Sequence, residues 1–152
     1  MPWTIRQGRP ADAPTIVEFN RRLAIESEGK TLEAATLEAG VTAALADPTR
    51  KGPYYLAVDD EKILGQLQIT FEWSDWRNGW FWWIQCVYVV AEARRTGVFR
   101  SLYEHVAALA RRDSEVIGLR LYVERDNHAA QKTYQRLGME QTAYLLLEQS
   151  PV

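Results

Sequence analysis

The 152-residue sequence has almost no cysteine, no marked excess of charge and no long apolar run. Its one cysteine, Cys86, excludes a disulfide within the chain and a metal site built from several cysteines. The formal net charge of −2 gives no overall basic field that would attract nucleic acid or anionic lipid. No apolar stretch approaches the roughly 18 residues of a membrane span, and the N-terminus lacks the apolar core of a signal peptide. We therefore expect a cytoplasmic protein with neither a nucleic-acid nor a membrane partner.

Tryptophan, in contrast, is abundant and concentrated in one place. Of the 6 tryptophans, all but one lie in residues 73–83: Trp73, Trp76, Trp80, Trp82 and Trp83. Apolar residues make up 47% of the chain and charged residues 25%, as in an ordinary globular protein. The length suits a single domain over residues 1–152, since there is no internal repeat, low-complexity tract or linker. The tryptophan cluster needs an explanation of its own.

The spacing of apolar residues predicts a domain of the α/β class, of α+β type. Two-residue alternation indicates strands near 4–6, 54–58, 63–73, 80–90, 116–124 and 139–148. Helical spacing indicates a first helix capped by Asp12 and further helices over about 32–46, 102–112 and 127–137. Asn78-Gly79 is a hairpin signal between the third and fourth strands. This order predicts a mixed, mostly antiparallel central sheet with helices on both faces.

One segment combines the end of a strand, a basic turn and the start of a helix. An apolar run reaches Ala91, the turn contains Arg94, Arg95 and Gly97, and an amphipathic helix with Arg100 in its first turn begins almost at once. The backbone N–H groups at a helix start and the helix dipole favour an anion. Arginines on both sides of the glycine add donors suited to phosphate. The segment is predicted to bind a diphosphate.

The residues of this turn also resemble a known family motif. Residues 94–99, Arg-Arg-Thr-Gly-Val-Phe, resemble the R/Q-x-x-G-x-G/A loop with which GNAT-superfamily N-acetyltransferases hold the pyrophosphate of acetyl-CoA. Phe99 stands where that family usually has Gly or Ala. Because the loop binds through backbone donors, a side chain at this position is tolerable if it turns toward the core.

A second motif, about thirty residues further along, resembles the same family. Asn127, Ala130, Tyr134, Leu137 and Gly138 match a GNAT signature in which an Asn follows a strand and the helix ends in Leu-Gly-Phe/Met. Each residue also has a local reason. Asn127 is suited to an N-cap, the next three lie at helical spacing, and Gly138 is suited to a helix end. With both motifs in the right order, the resemblance covers the C-terminal half of the chain.

The resemblance implies acetyl-CoA as cosubstrate, no metal, and direct acyl transfer to an amine. It implies that pantetheine lies along Val87, Tyr88 and Val89, with a backbone N–H polarising the thioester carbonyl. The diphosphate-binding residues that it implies are Arg94, Arg95, Thr96, Gly97, Val98, Phe99 and Arg100. Asn127 would bind the pantetheine arm, and Tyr134 would protonate the departing thiolate. A phenol suits that role because its ordinary pKa of about 10 exceeds the ~8.5 of a thiol.

The base that takes the proton of the amine is open on sequence grounds. Some family members carry a glutamate two positions before the residue aligned with Val87, but this chain has Gln85, which cannot act as a base and is assigned to substrate binding. Glu72, Asp75 or a chain of waters remain, and Glu72 is preferred because it lies near a strand end. Cys86 is interpreted as a buried strand residue and not as a nucleophile, since no base is expected beside it.

The tryptophan hairpin has two interpretations. In one, Trp73, Asp75 and Trp76 form an acidic, aromatic mouth that attracts a cationic amine, with Glu26 and Glu28 as its other wall. In the other, the aromatic residues are cross-strand pairs that stiffen the hairpin, or a patch buried in a homodimer. The sequence does not decide between them.

These observations predict an N-acetyltransferase that acts on a primary amine, with a small molecule favoured as acceptor. A protein N-acetyltransferase is one alternative. The other, of a different class, is an acyl-CoA-binding regulatory or interaction module without turnover. Tyr134 argues against the module, because binding alone has no need of an acid.

Overall fold

The structure is a computed structural model, and it describes residues 2–152. Its strands are β1 (Thr4–Gln7), β2 (Tyr54–Asp59), β3 (Lys62–Ser74), β4 (Gly79–Val89) and β5 (Val116–Arg120). Its α-helices are α1 (Ala13–Glu28), α2 (Ala34–Ala46), α3 (Pro48–Lys51), α4 (Val98–Arg112) and α5 (His128–Arg136). The chain divides into two compact units, Met1–Leu121 and Tyr122–Val152, which are described separately. None of the helices in the described part of the chain is both long and apolar enough to span a membrane.

The five strands of the first unit form one sheet in the order β1-β2-β3-β4-β5. The first four run antiparallel to their neighbours, and β5 runs parallel to β4. The parallel pair follows from the α4 crossover, because parallel neighbours need a long connection. The predicted mixed, mostly antiparallel sheet is confirmed.

Helices cover both faces of this sheet. On one face, Ile16 of α1 and Val41 of α2 pack on Leu56 of β2. On the other, Leu102 and Val106 of α4, one helical turn apart, pack on the residues of the sheet that point the opposite way. Both α4 side chains are fully buried. Residue alternation along β2 and β3 therefore supplies two separate cores.

The start of α1 differs from the prediction that Asp12 caps it. Asp12 precedes the helix but makes no capping hydrogen bond with its side chain. Its carboxylate instead accepts hydrogen bonds from the Arg6 guanidinium at 2.8 and 2.9 Å and from the Arg9 N–H at 2.7 Å. These bonds, chiefly that from Arg6, hold the pKa of Asp12 below its usual range. The residue ties β1 to the turn before α1.

The β3–β4 hairpin forms where Asn78-Gly79 predicts it. The strands are joined by residues 75–78, and Asn78 has the positive φ of 49° that its side chain tolerates. Gly79 has a packing reason of its own, since a Cβ there would overlap Cγ2 of Ile117. The paired residues of the two strands begin with Ser74 and Gly79 next to the turn and continue away from it along both strands.

The predicted last strand, residues 139–148, is wrong: the structure has no strand there. Tyr144, Leu145, Leu146 and Leu147 are instead exposed, each by more than two thirds. An apolar run becomes a strand only where a neighbouring edge takes its backbone hydrogen bonds, and no ladder involves these residues. The predicted strand over 116–124 is likewise shorter and ends at Arg120.

Candidate active site

The site in the first unit is organised by a bulge in β4. Gln66 of β3 lies opposite Tyr88, and Gln68 lies opposite Gln85, so β4 has one residue more than β3 between these pairs. Cys86, within the bulge, has a φ of +54°, in the left-handed region. A bulge of this kind bends its strand and releases backbone groups from the ladder.

Beyond the bulge, β4 also extends past the end of its other neighbour, β5. Pairing with β5 ends at Trp83↔Arg120, so residues 84–89 continue past the parallel ladder. The predicted pantetheine strand, Val87, Tyr88 and Val89, lies in this stretch. The ring of Tyr88 is buried against Phe19, with ring centroids 5.1 Å apart. The stretch offers backbone groups to an extended ligand, as sheet edges do in peptide recognition.

The predicted anion-binding turn follows β4 directly. Arg95 and Gly97 both have positive φ values, 64° and 100°, and α4 begins at Val98. The hydroxyl of Thr96 donates to the Ala93 carbonyl at 2.6 Å and closes the turn. Apart from Gly97 and its two chain neighbours, no described atom lies within 4 Å of the place where a Cβ on Gly97 would stand. The turn therefore has open space beside Gly97, and the first N–H groups of α4 have no partner within the helix, as an anion site requires.

The arginines of this turn are not equivalent. Arg94 donates to the Val89 carbonyl at 2.9 Å and to both carboxylate oxygens of Glu26 at 3.2 Å. Arg100 pairs with Glu104, one turn along α4, at 2.8 Å. Arg95 is exposed and has no ion-pair partner among the described residues. Arg95 is the guanidinium in this turn that is ready to take an added anion.

Phe99 turns inward, which is the condition under which a side chain at this position is tolerable. Its side chain is half-buried, packs against the core under α4 and contacts Tyr103 at 6.3 Å between ring centroids. The departure from the Gly/Ala pattern therefore leaves the space over Gly97 free.

A cavity of about 370 Å³ lies between α1, α2 and the sheet. The sequence did not predict this cavity, although Glu28 in its wall is one of the predicted acceptor residues. Its lining residues are Asn20, Leu23, Ala24, Glu28, Leu32, Thr36, Leu37, Gly40, Val41, Tyr54 and Cys86. Its volume lies within the range of small-molecule sites, and Cys86 brings it to the β4 bulge.

Neutral polar groups lie at the sheet side of this cavity. Gln66 donates from Nε2 to Asn20 Oδ1 at 3.0 Å and to the Cys86 carbonyl at 3.0 Å. The buried Oε1 of Gln66 has no hydrogen-bond partner among the described residues. Burial raises the pKa of the Cys86 thiol to about 11, and burial together with Cys86 raises the pKa of Tyr54 to about 12. Both groups are uncharged at neutral pH.

Sequence reasoning missed Asn20 and Gln66, although β3 carries a signal for Gln66. Gln66 and Gln68 interrupt a strand whose other central residues are apolar, and both are buried. Two buried glutamines on one strand face require hydrogen-bond partners on the element that covers that face. The pattern could have indicated a polar site there.

Glu72, the preferred base, lies on the same face of β3 as Gln66 and Gln68. Its Oε1 accepts hydrogen bonds from Trp83 Nε1 at 2.9 Å and from Arg120 Nη1 at 3.0 Å. Glu72 lies four positions beyond Gln68, about 13 Å along the strand at roughly 3.3 Å per residue. Between them, the predicted substrate residue Gln85 donates to the Thr70 hydroxyl at 2.7 Å. Glu72 therefore stands well outside the bulge.

The structure separates the predicted acceptor residues. Trp73 contacts Trp80 across the hairpin with ring centroids 5.1 Å apart, on the sheet face that α4 covers and not on the face with the cavity. Asp75 and the exposed Trp76 are in the hairpin turn. Glu26 pairs with Arg94, and Glu28 alone of this set lines the cavity. The contact of Trp73 with Trp80 is the cross-strand pairing that one interpretation predicts.

In the second unit, α5 begins and ends as predicted. The Asn127 side chain accepts a hydrogen bond from the Ala130 N–H at 3.2 Å, and Gly138 after the helix has a φ of 96°. Tyr134 lies in the middle of α5 and is half-buried. Burial raises the pKa of its phenol, so the group is protonated at neutral pH.

Known proteins resemble this chain in sequence and in structure. The sequence matches the Acetyltransferase (GNAT) family over residues 17–139. The crystal structure of a possible acetyltransferase from Clostridium difficile 630 is 42% identical, with a TM-score of 0.92 over 100% of this chain and 99% of that one. Among curated proteins, none matches the chain.

Two more distant structures share the fold. A predicted acetyltransferase with acetyl-CoA from Clostridium acetobutylicum is 18% identical, with a TM-score of 0.78 over 96% of each chain. A ribosomal-protein-alanine N-acetyltransferase from Brucella melitensis biovar Abortus 2308 is 15% identical, with a TM-score of 0.75 over 97% of this chain and 99% of that one.

Proposed function

Because the chain belongs to the acetyltransferase (GNAT) family, we propose that it transfers an acetyl group from acetyl-CoA to the primary amine of a small molecule. One observation carries the proposal. In a single compact unit, the bulged end of β4 leads directly into an open anion-binding turn and also borders a cavity of ligand size. Acetyl-CoA supplies the acetyl group as a reactive thioester, and a solved structure with this fold contains acetyl-CoA.

The turn after β4 is the proposed diphosphate site. The first N–H groups of α4 donate to the phosphate oxygens, and the helix dipole adds to the attraction. Arg95 supplies the charge partner, because it has no ion pair to give up. Arg94 and Arg100 contribute after exchanging their present carboxylate partners, Glu26 and Glu104.

The edge of β4 past its ladder with β5 is the proposed pantetheine site. Backbone groups of Val87 and Val89 pair with the amides of the pantetheine arm, and Asn127 donates to the same arm. A β4 N–H points at the thioester oxygen and stabilises the negative charge that develops there. The roles of β4 use its backbone groups and do not depend on the identity of its side chains.

Tyr134 is the proposed general acid. As the amine nitrogen bonds to the acetyl carbon and the carbon–sulfur bond breaks, Tyr134 gives its proton to the departing sulfur. Tyr134 then regains a proton from solvent, and the proton that the amine nitrogen loses leaves through water. Burial keeps the phenol protonated before the step.

The cavity is the proposed acceptor site, and its size supports a small molecule over a folded protein. Glu28 provides the negative charge in its wall that attracts an ammonium group. Glu72 takes the amine proton through intervening water, because about 13 Å of β3 separates it from the bulge. A second contact surface, proposed for larger acceptors, consists of Trp73, Asp75 and Trp76.

A screen of primary amines tests the proposal. Wild-type protein is incubated with acetyl-CoA and each amine, and both free CoA thiol and acetylated amine are measured. The proposal predicts amine-dependent formation of both products. Tight acetyl-CoA binding with neither product for any amine would favour a binding module.

A further inference from the structure

The β4 bulge is held in a conformation that its own residue disfavours. Cys86 has a φ of +54°, where the Cβ of an L-residue crowds the following carbonyl. Glycine adopts this conformation without that cost. A group outside β4 must therefore keep Cys86 there.

Gln66 is that group. It is fully buried on the neighbouring strand, and both hydrogens of its Nε2 are used: one on the Cys86 carbonyl and one on Asn20 Oδ1, each at 3.0 Å. The glutamine thus ties the bulge in β4 to helix α1. Gln68, two residues on, accepts a hydrogen bond from the Cys86 thiol at 3.8 Å, and its Nε2 donates to the carbonyls of Lys51 and Gly52 at 3.3 Å.

The arrangement lowers stability in two ways. The left-handed Cys86 is strained, and the buried Gln66 Oε1 lacks a partner among the described residues. A methionine at position 66 would fill similar space and remove the orphaned Oε1, but it would also remove the two hydrogen bonds that Nε2 donates to Asn20 and Cys86. A protein keeps a strained residue and an unpartnered buried acceptor where the geometry that they produce serves its function.

The geometry in question is that of the strand end beyond the bulge. Pairing with β3 resumes at Gln66↔Tyr88, so the placement of Tyr88 and Val89 depends on how the extra residue is accommodated. Asn20, at the other end of the hydrogen-bonded chain, lines the cavity. We infer that Gln66 is a positioning residue, which fixes the β4 edge for acetyl-CoA and couples it to the wall of the acceptor cavity. The inference rests on the proposed function and deepens it.

Gln66→Met is the test, with Gln68→Met as the matched control on the same face of the same strand. The dissociation constant of acetyl-CoA is measured by isothermal titration calorimetry, and Tm is measured by circular dichroism. We expect Gln66→Met to weaken binding at least about tenfold, while Tm stays within about 4 °C of the wild-type value, a change of roughly 1 kcal/mol for a chain of this length. Gln68→Met should weaken binding less than about threefold.

Rescue by glycine separates positioning from general damage. Glycine at position 86 adopts the positive φ without strain, so the bulge no longer needs Gln66 to hold it. The double variant Gln66→Met with Cys86→Gly should therefore bind acetyl-CoA at least about threefold more tightly than Gln66→Met alone. Asn20→Ala is the milder second variant. It removes only the α1 end of the chain of hydrogen bonds and should weaken binding about threefold.

Each outcome supports or overturns the positioning role of Gln66. Unchanged acetyl-CoA affinity in Gln66→Met, or in Asn20→Ala if the methionine variant does not fold, overturns the inference. The inference is also overturned if the affinity of Gln66→Met falls in proportion to its Tm and Cys86→Gly does not restore it. If acetyl-CoA binds as expected but no amine is acetylated, the proposed transfer is wrong while the role of Gln66 stands. If the unaltered protein does not bind acetyl-CoA, both are overturned.

Discussion

The Glu26 carboxylate and the Arg94 guanidinium meet at 3.2 Å through both carboxylate oxygens. The pair joins the C-terminal turn of α1 to the turn that follows β4, which is the proposed diphosphate site, and Arg94 also lies over the Tyr88 ring at 5.4 Å. Both partners are about half exposed, so the pair contributes little to stability. Arg94 thus has a counter-charge, whereas Arg95 beside it has none among residues 2–152.

Arg95→Ala is therefore expected to weaken acetyl-CoA binding about tenfold, because it removes an unengaged charged donor from the phosphate site. Arg94→Ala should cost less, because Arg94 must give up its ion pair with Glu26 before it can bind the phosphate. The dissociation constants are compared by calorimetry at low and at physiological salt. Arg111→Ala, at the far end of α4, is the control and should change nothing. Equal losses for Arg95→Ala and Arg111→Ala would count against the phosphate site.

Tyr134→Phe is expected to lower kcat about 100-fold or more, because the departing thiolate loses its acid. The dissociation constant of acetyl-CoA should stay within about threefold, since the ring is kept. Steady-state kinetics and calorimetry on the same preparations check both numbers. Unchanged kcat would remove Tyr134 from the mechanism.

Glu72→Gln separates a base from a structural ion pair. If Glu72 accepts the amine proton through water, the variant loses about 100-fold in kcat in steady-state kinetics. Arg120→Gln is the matched control, because it breaks the same ion pair but keeps the carboxylate. A similar loss of kcat in both variants would mean that Glu72 only supports the hairpin.

The Cys86 thiol is expected to react slowly with iodoacetamide in the native protein. Because burial raises its pKa to about 11, little thiolate is present at pH 8. The alkylation rate should be about two orders of magnitude below that of an ordinary thiol with a pKa of ~8.5. Mass spectrometry follows the reaction, and the urea-unfolded chain provides the reference rate. Rapid native alkylation would reopen a route through an acetylated cysteine.

Asp12→Asn is expected to lower the free energy of unfolding at pH 7 by about 1–3 kcal/mol, because Arg6 loses its partner and the buried site keeps fewer hydrogen bonds. The pKa of Asp12 is below its ordinary value of 3.8, so the carboxylate stabilises the fold above about pH 4 and this contribution is lost as pH falls through the lowered pKa. Urea unfolding of both proteins between pH 7 and pH 3 should show the difference shrinking in acid. A constant difference would contradict the ion-pair account.

Local signals in the sequence predicted the elements of the site, because they depend on residues close together in the chain. The turn at Gly97 and the Asn127 cap are of this kind, since each uses neighbours within a few positions. The inward packing of Phe99 also follows from helical spacing in α4.

Long-range contacts could not be predicted in this way. Gln66 reaches Asn20 across 46 positions, and Glu26 reaches Arg94 across 68, and no local pattern encodes either pair. The left-handed Cys86 is equally unexpected, because a residue other than glycine adopts that conformation only under tertiary constraint. The predicted strand at 139–148 was wrong for the same reason: its apolar residues are present, but a strand partner is a property of the fold.

Direct transfer is the central claim, and the balance of its two products tests it most directly. With the best amine from the screen, free CoA thiol and acetylated amine are quantified together over the first turnovers by absorbance and mass spectrometry. The account predicts equal amounts of both, with neither forming at a comparable rate when the amine is left out. Thiol release without acetylated amine, or at the same rate in the absence of amine, would contradict it.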